Sequence, residues 1–165
     1  MESQPYTVLF LCTGNSARSI IAEATLNALG KGKFKAYSAG SFPGGKVNPL
    51  VIEFLSQNGI RADGARSKSW DEFTEPAAPK MDFVITVCDQ AAGEVCPVWP
   101  GHPVSAHWGV EDPAPYMDKP EQAKRVIQDA ARILRNRILL LTALPIDKLD
   151  RMRLQSRVRA IGKAG

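Results

Sequence analysis

The chain has 165 residues, 44% of them hydrophobic and 23% charged, with a formal net charge of +4. That length suits one domain with a sizeable core, and the composition is that of a soluble globular protein, not of a disordered or fibrous one. No apolar run reaches membrane length, Met1–Pro5 is too short and polar for a signal peptide, and the charge is a weak argument for nucleic acid. The expectation is a cytoplasmic protein with neither a membrane nor a nucleic acid as partner. Three cysteines, Cys12, Cys88 and Cys96, argue for reactive thiols over a disulfide scaffold.

Tyr6–Leu11 is a β-branched and aromatic run that predicts a buried strand ending at Cys12. The small residues Thr13, Gly14, Asn15, Ser16 and Ala17 lead through Arg18 into a helix over Ser19–Leu29, whose clearest apolar stripe is Ile21, Ala24 and Ala28. Gly30 and Gly32 stop that helix. Phe34–Ala39 predicts a second strand closed by Gly40, and residues 40–45 (GSFPGG) a loop. Asn48 is placed to cap a helix with Pro49 in its first position. Val51, Ile52 and Leu55 carry its apolar face, and Gly59 ends it. Ser69 is placed to cap a short helix over Trp70–Phe73, with Glu72 in the capping-box position.

Met81–Val87 predicts the third strand, ending at Cys88. Asp89–Gly101 is a loop containing Cys96, Pro103–Trp108 a fourth strand, and Gly109–Pro115 another loop. Lys119–Leu141 predicts a long helix with Pro120 at its start and the stripe Ala123, Val126, Ile127, Ala130, Ile133, Leu134, Ile138, Leu141. Pro145 breaks it. Asp147–Ile161 predicts a last helix with Leu149, Met152, Val158 and Ile161 apolar, so that 146–165 forms a basic C-terminal segment whose charges read as a solvated face. The order predicts a single α/β domain over 1–165, a four-stranded parallel sheet flanked by helices and joined by right-handed crossovers.

The chemistry gathers at Cys12–Ser19. Small residues let successive backbone N–H groups converge into an anion-binding nest, and a helix N-terminus adds donors and positive dipole. Thr13, Gly14, Asn15, Ser16, Ala17 and Arg18 are the oxyanion-binding candidates, with Arg18 able to grip a tetrahedral anion through two parallel bonds. The same field is expected to lower the pKa of Cys12 and favour its thiolate, the nucleophile, with Ser19 donating a hydrogen bond to it. No Gly-Lys-Ser/Thr follows, which excludes a Walker A loop. In a parallel sheet both strand ends carrying cysteine lie on one edge, so Cys12 and Cys88 are expected near each other. A metal site from Cys88, Cys96, His102 and His107 lacks the usual Cys-x-x-Cys knuckle, and His107 reads as structural.

At these residues the chain resembles a known family. Cys12–Arg18 fits the Cys-(five residues)-Arg loop of the low-molecular-weight protein tyrosine phosphatases. Cys-Thr-Gly-Asn-Ser-x-Arg-Ser followed by Ala22-Glu23 is the form these share with one class of arsenate reductase. Val87-Cys88-Asp89 through Cys96-Pro97, then His107-Trp108-Gly109 and Asp112-Pro113, resemble the reductase branch. The loop between Cys88 and Cys96 is one residue longer than in its best-known thioredoxin-coupled members.

The resemblance implies arsenate as substrate, Cys12 as nucleophile, Asp112 as general acid, and a relay in which Cys88 attacks Cys12 and Cys96 then attacks Cys88. It implies no tightly bound cofactor, but an external thiol reductant, thioredoxin or a glutathione/glutaredoxin-type donor. It also implies potassium behind the loop at Asn15, Glu23 and Ser38, with the further carboxylate replaced by Ser69, near Asp71. The alternative it leaves is a phosphotyrosine phosphatase working through a phosphocysteine. Against that, Ala114 and Pro115 follow Asp112-Pro113, and Tyr116 comes one place later than phosphatases have it. A non-catalytic anion sensor on the same fold is disfavoured by the intact Cys12, Arg18 and Asp112 set.

Overall fold

The structure, a computed structural model, describes residues 4–62, 64–88 and 102–163. Four strands, β1 (Tyr6–Cys12), β2 (Phe34–Gly40), β3 (Phe83–Thr86) and β4 (Val104–His107), form one parallel sheet in the order β2-β1-β3-β4. β1 is central and covered on both faces, which is why its apolar run is continuous. Val8, Phe10 and Cys12 face the larger core with Phe83 and Ile85, while Leu9 and Leu11 join Ala39, Phe73, Met81 and Val84 on the other side. β3 is shorter than expected, but its pairing with β1 continues past Thr86, where the Val87 N–H donates to Leu11 O at 2.9 Å.

Helix α1 (Arg18–Leu29) buries Ser19, Ile20, Ile21, Ala22, Ala24, Thr25 and Leu26. It is enclosed on most sides, so its periodicity is loose; Ala28, expected in the stripe, is exposed. Helix α2 (Pro49–Gln57) starts as expected, with Asn48 Oδ1 accepting from the Leu50 N–H at 2.9 Å, but Ile52 faces solvent and Val51 and Leu55 carry the packing. Ser69 caps the short 3-10 helix Trp70–Phe73 by accepting from the Asp71 N–H. The capping box does not form, because Glu72 turns to Arg66 and accepts from both terminal guanidinium nitrogens.

Helix α3 (Pro120–Thr142) packs along its expected stripe, except that Ile133 is only partly covered and Arg137 is buried. The last helix does not run unbroken from Asp147. A 3-10 turn at Ile146–Lys148 precedes α4 (Arg151–Ile161), whose cap is Asp150, accepting from the Arg153 N–H at 2.8 Å. Its apolar face is Leu154, Val158 and Ile161, at helical spacing; Met152 is 84% exposed.

Helix α4 lies on β4. Trp108, fully buried, donates from its indole nitrogen to Val158 O at 3.0 Å. The basic face is not wholly solvated: Arg159 donates to Ser105 O and Arg151 to His102 O. Among the described residues no helix is long and apolar enough to cross a membrane.

Candidate active site

The sheet order places the site. The chain passes from β1 to β2 on one side of it and then crosses from β2 to β3 on the other, so the carboxyl ends of β1 and β3 open a crevice at the switch point. Cys12 ends β1 there, buried, and the following loop runs into α1. This helix starts without help: no side chain caps Ala17, and its first turn holds no acidic residue. Its free N–H groups and positive end are left for an anion.

The loop is shaped from outside. Its carbonyls are taken by neighbours: Phe42 N–H donates to Thr13 O, Gly44 N–H and Ser67 Oγ to Gly14 O, and Asn48 N–H to Ser16 O, at 2.8–3.1 Å. Carbonyls held outward turn the intervening amides toward the concave side. Asn15 takes the left-handed conformation, φ +46°, which Asn tolerates better than most residues. Wholly buried, it donates to Ser19 Oγ at 2.8 Å and accepts the Lys68 N–H at 2.9 Å. Gly40 is required because any Cβ there would fall 2.4 Å from Thr13 O.

Arg18 reaches across the crevice. Its two terminal nitrogens meet Val110 O and Asp112 Oδ2, each at 3.3 Å, while Nε is buried with no partner among the described residues. Asp112 divides its oxygens, Oδ1 accepting the Ala114 N–H at 3.0 Å and Oδ2 facing Arg18. It therefore caps the turn into Pro113 and also faces the oxyanion loop. Tyr116 donates to Glu111 Oε1 at 3.0 Å, a contact that raises its phenol pKa. Arg137, its pKa lowered by burial, donates to Gly109 O at the base of this loop.

The second thiol is where topology placed it. Thr13 N–H donates to Cys88 Sγ at 3.3 Å, and Thr13 Oγ1 lies 3.6 Å from that sulfur. Cys88 is also hydrogen-bonded to Cys12. That bond overturns the expected acidity of Cys12. Sharing its proton with Cys88, together with burial, pushes the Cys12 thiol up, against the opposing pull of Arg18 and the Gly14 N–H. Both thiols are reduced and buried. Ser19 Oγ accepts the Asn15 amide at 2.8 Å, which leaves its own hydroxyl proton to be donated; the groups that shift Cys12 are Cys88, Arg18 and Gly14.

Cys96 lies outside the described residues, as does the rest of 89–101. His107 pairs through Nδ1 with Thr86 Oγ1 at 2.8 Å. No group of three or more His, Cys, Asp or Glu able to hold a metal occurs among the described residues.

Of the residues implied as a cation site, Ser38 and Glu23 are in contact, Ser38 Oγ donating to Glu23 Oε1 at 3.2 Å, and Asn15 meets the backbone of Lys68. Lys68 itself was not anticipated: its ammonium sits 3.9 Å from the same Glu23 oxygen. Burial raises the Glu23 pKa, with Lys68 and Ser38 opposing; burial lowers the Lys68 pKa, with Glu23 opposing. Ser67, Lys68 and Gly40, all of which shape the loop, belong to no motif, and only Gly40, closing a strand, carried any signal.

Comparison with known proteins agrees with this geometry. The family described as low molecular weight phosphotyrosine protein phosphatase matches residues 7–148. An arsenate reductase from Oceanobacillus iheyensis is 34% identical over 79% of this chain and 91% of its own. A thioredoxin-dependent arsenate reductase from Corynebacterium glutamicum is 31% identical, with a TM-score of 0.57 over 85% of this chain and 65% of that one. A low molecular weight protein tyrosine phosphatase from T. tengcongensis, 28% identical, has a TM-score of 0.62 over 87% and 99%. The backbone alone thus does not separate the two activities. Taken with the Cys12 loop and the second thiol beside it, these likenesses show that the chain belongs to the low molecular weight phosphotyrosine protein phosphatase family, on the side of its arsenate reductases.

Proposed function

We propose that this protein reduces arsenate to arsenite by a thiol relay. The observation that carries it is the Cys88 sulfur, hydrogen-bonded to Cys12 and facing the Thr13 N–H. Phosphoryl transfer through a phosphocysteine needs a nucleophile, an anion cradle and an acid. A second thiol touching the nucleophile adds disulfide chemistry.

Arsenate fits the cradle as a tetrahedral dianion, gripped by the loop amides and by Arg18, whose free Nε supplies a further donor. Attack needs the Cys12 thiolate, so its proton passes to an arsenate oxygen as the anion binds, and Arg18 and the Gly14 N–H are the groups that favour the thiolate left behind. The Cys12 thiolate attacks arsenic and an As–O bond breaks, Asp112 giving the leaving hydroxide its proton. Cys88 then attacks the Cys12 sulfur. The S–S bond forms, the S–As electron pair stays on arsenic, and arsenite leaves two electrons richer, with the thiol pair oxidised to a disulfide. Cys96 resolves it by attacking Cys88, and an external thiol donor restores the dithiol. The donor is thioredoxin or a glutathione/glutaredoxin-type protein, and such chemistry belongs in a thiol-reducing cytoplasm.

Cys88→Ser tests this directly. Arsenate reduction stops while slow phosphate-ester hydrolysis through Cys12 and Asp112 survives. Full arsenate turnover by that variant would sink the relay.

A further inference from the structure

Beneath the oxyanion loop lies the site where resemblance implies potassium, and there this chain provides a positive charge of its own. Lys68 is 8% exposed. Its ammonium lies 3.9 Å from Glu23 Oε1 and donates to Arg66 O at 3.1 Å. Ser38 Oγ donates to the same Glu23 oxygen, and Asn15 Oδ1 already accepts the Lys68 N–H.

This donor set does not fit a potassium ion. Glu23 is the one carboxylate among the implied ligands, and it already faces an ammonium. A second cation would meet that ammonium's charge in a buried, low-dielectric setting. The nearby carboxylates do not change the balance: Glu72 is committed to the Arg66 guanidinium, and Asp71 is exposed at the start of its 3-10 helix. An ammonium, by contrast, carries the charge of potassium at similar size and directs three N–H donors.

We propose that Lys68 is the resident cation of this site, built into the chain in place of the metal. Lys68 is then a positioning residue with two holds on the loop. Its ammonium neutralises Glu23, and its backbone N–H fixes Asn15, whose side-chain amide sets Ser19. Its carbonyl also accepts the Gly40 N–H at 2.9 Å, tying the arrangement to the end of β2. The inference is independent of which oxyanion is the substrate.

The test uses the reduced full chain in KCl and in choline chloride at equal ionic strength. Two readouts are taken: the melting temperature, and the protection of Cys12 from alkylation by inorganic phosphate. The wild type is expected to behave identically in both salts. Lys68→Met is expected to melt lower and to lose phosphate protection in choline chloride. Saturating KCl should return roughly 2–4 °C of melting temperature and restore protection. A potassium-specific, saturable stabilisation of the wild type would overturn the proposal, as would a Lys68→Met protein indifferent to potassium. If Lys68→Met does not fold, Lys68→Gln takes its place, and the wild-type comparison decides by itself.

Discussion

Gly40→Ala probes the claim that the end of β2 shapes the oxyanion loop. The added methyl would fall 2.4 Å from Thr13 O, 2.9 Å from Cys12 O and 3.1 Å from Asn15 Cβ. Two of these are backbone atoms, so no side chain can swing aside. Gly40 cannot retreat either, because it pairs with Cys12 across the sheet and donates to Lys68 O. Restoring an ordinary contact of 3.4 Å to Thr13 O means moving the loop by about 1 Å. Overpacking of this kind costs about 1–3 kcal/mol. At roughly 2–4 °C per kcal/mol for a chain of this size, the melting temperature should fall by about 2–12 °C. The larger effect is on activity, since a 1 Å misplacement of reacting groups costs about 10²-fold. Thermal denaturation and steady-state arsenate turnover, run on the same preparation, read both. A variant with unchanged melting temperature and unchanged turnover would refute the argument that Gly40 holds the loop.

Asp112→Asn should lower turnover by about 10²–10⁴-fold through loss of the proton donor, with Arg18 keeping its contact to Val110 O; a kcat equal to wild type would remove Asp112 from the chemistry. Cys12 should alkylate at lower pH in Cys88→Ala. The bond to Cys88 is the largest influence raising that thiol, and Arg18 and Gly14 still pull it down once the bond is gone. An alkylation midpoint that stays in place or moves up contradicts the shared proton. Trp108→Ala should cost about 3–5 kcal/mol in urea unfolding and raise hydrogen exchange in α4, because the indole packs under that helix and donates to Val158 O; unaltered exchange in 151–161 would show that α4 is anchored elsewhere.

Local chemistry was legible in the sequence, and what depends on packing between distant segments was not. The Tyr6–Leu11 run announced a strand because both its faces are buried. The Cys12–Arg18 loop could be read because strand, nest and helix start are contiguous. Even the meeting of Cys12 and Cys88 followed from parallel topology. What that meeting does to the Cys12 proton did not follow, since it depends on a sulfur-to-sulfur hydrogen bond and not on a shared sheet edge. Lys68 was invisible for the same kind of reason. A lysine between two serines looks like surface loop, and only the approach of the 66–69 segment to Asn15, Glu23 and Gly40 turns it inward. At α4 the signal existed but pointed elsewhere: Asp150 is a good capping residue, and placing the helix start there makes Leu154, not Met152, the buried partner of Val158.

The central claim is that arsenate is reduced by this chain's own thiols, and a single turnover tests it most directly. The protein is reduced, freed of reductant, exposed to arsenate, and its disulfides mapped by mass spectrometry. The account predicts arsenate-dependent loss of two thiols per chain and a Cys88–Cys96 bridge. Thiols that stay fully reduced in arsenate, in a protein that still hydrolyses phosphotyrosine, would contradict it.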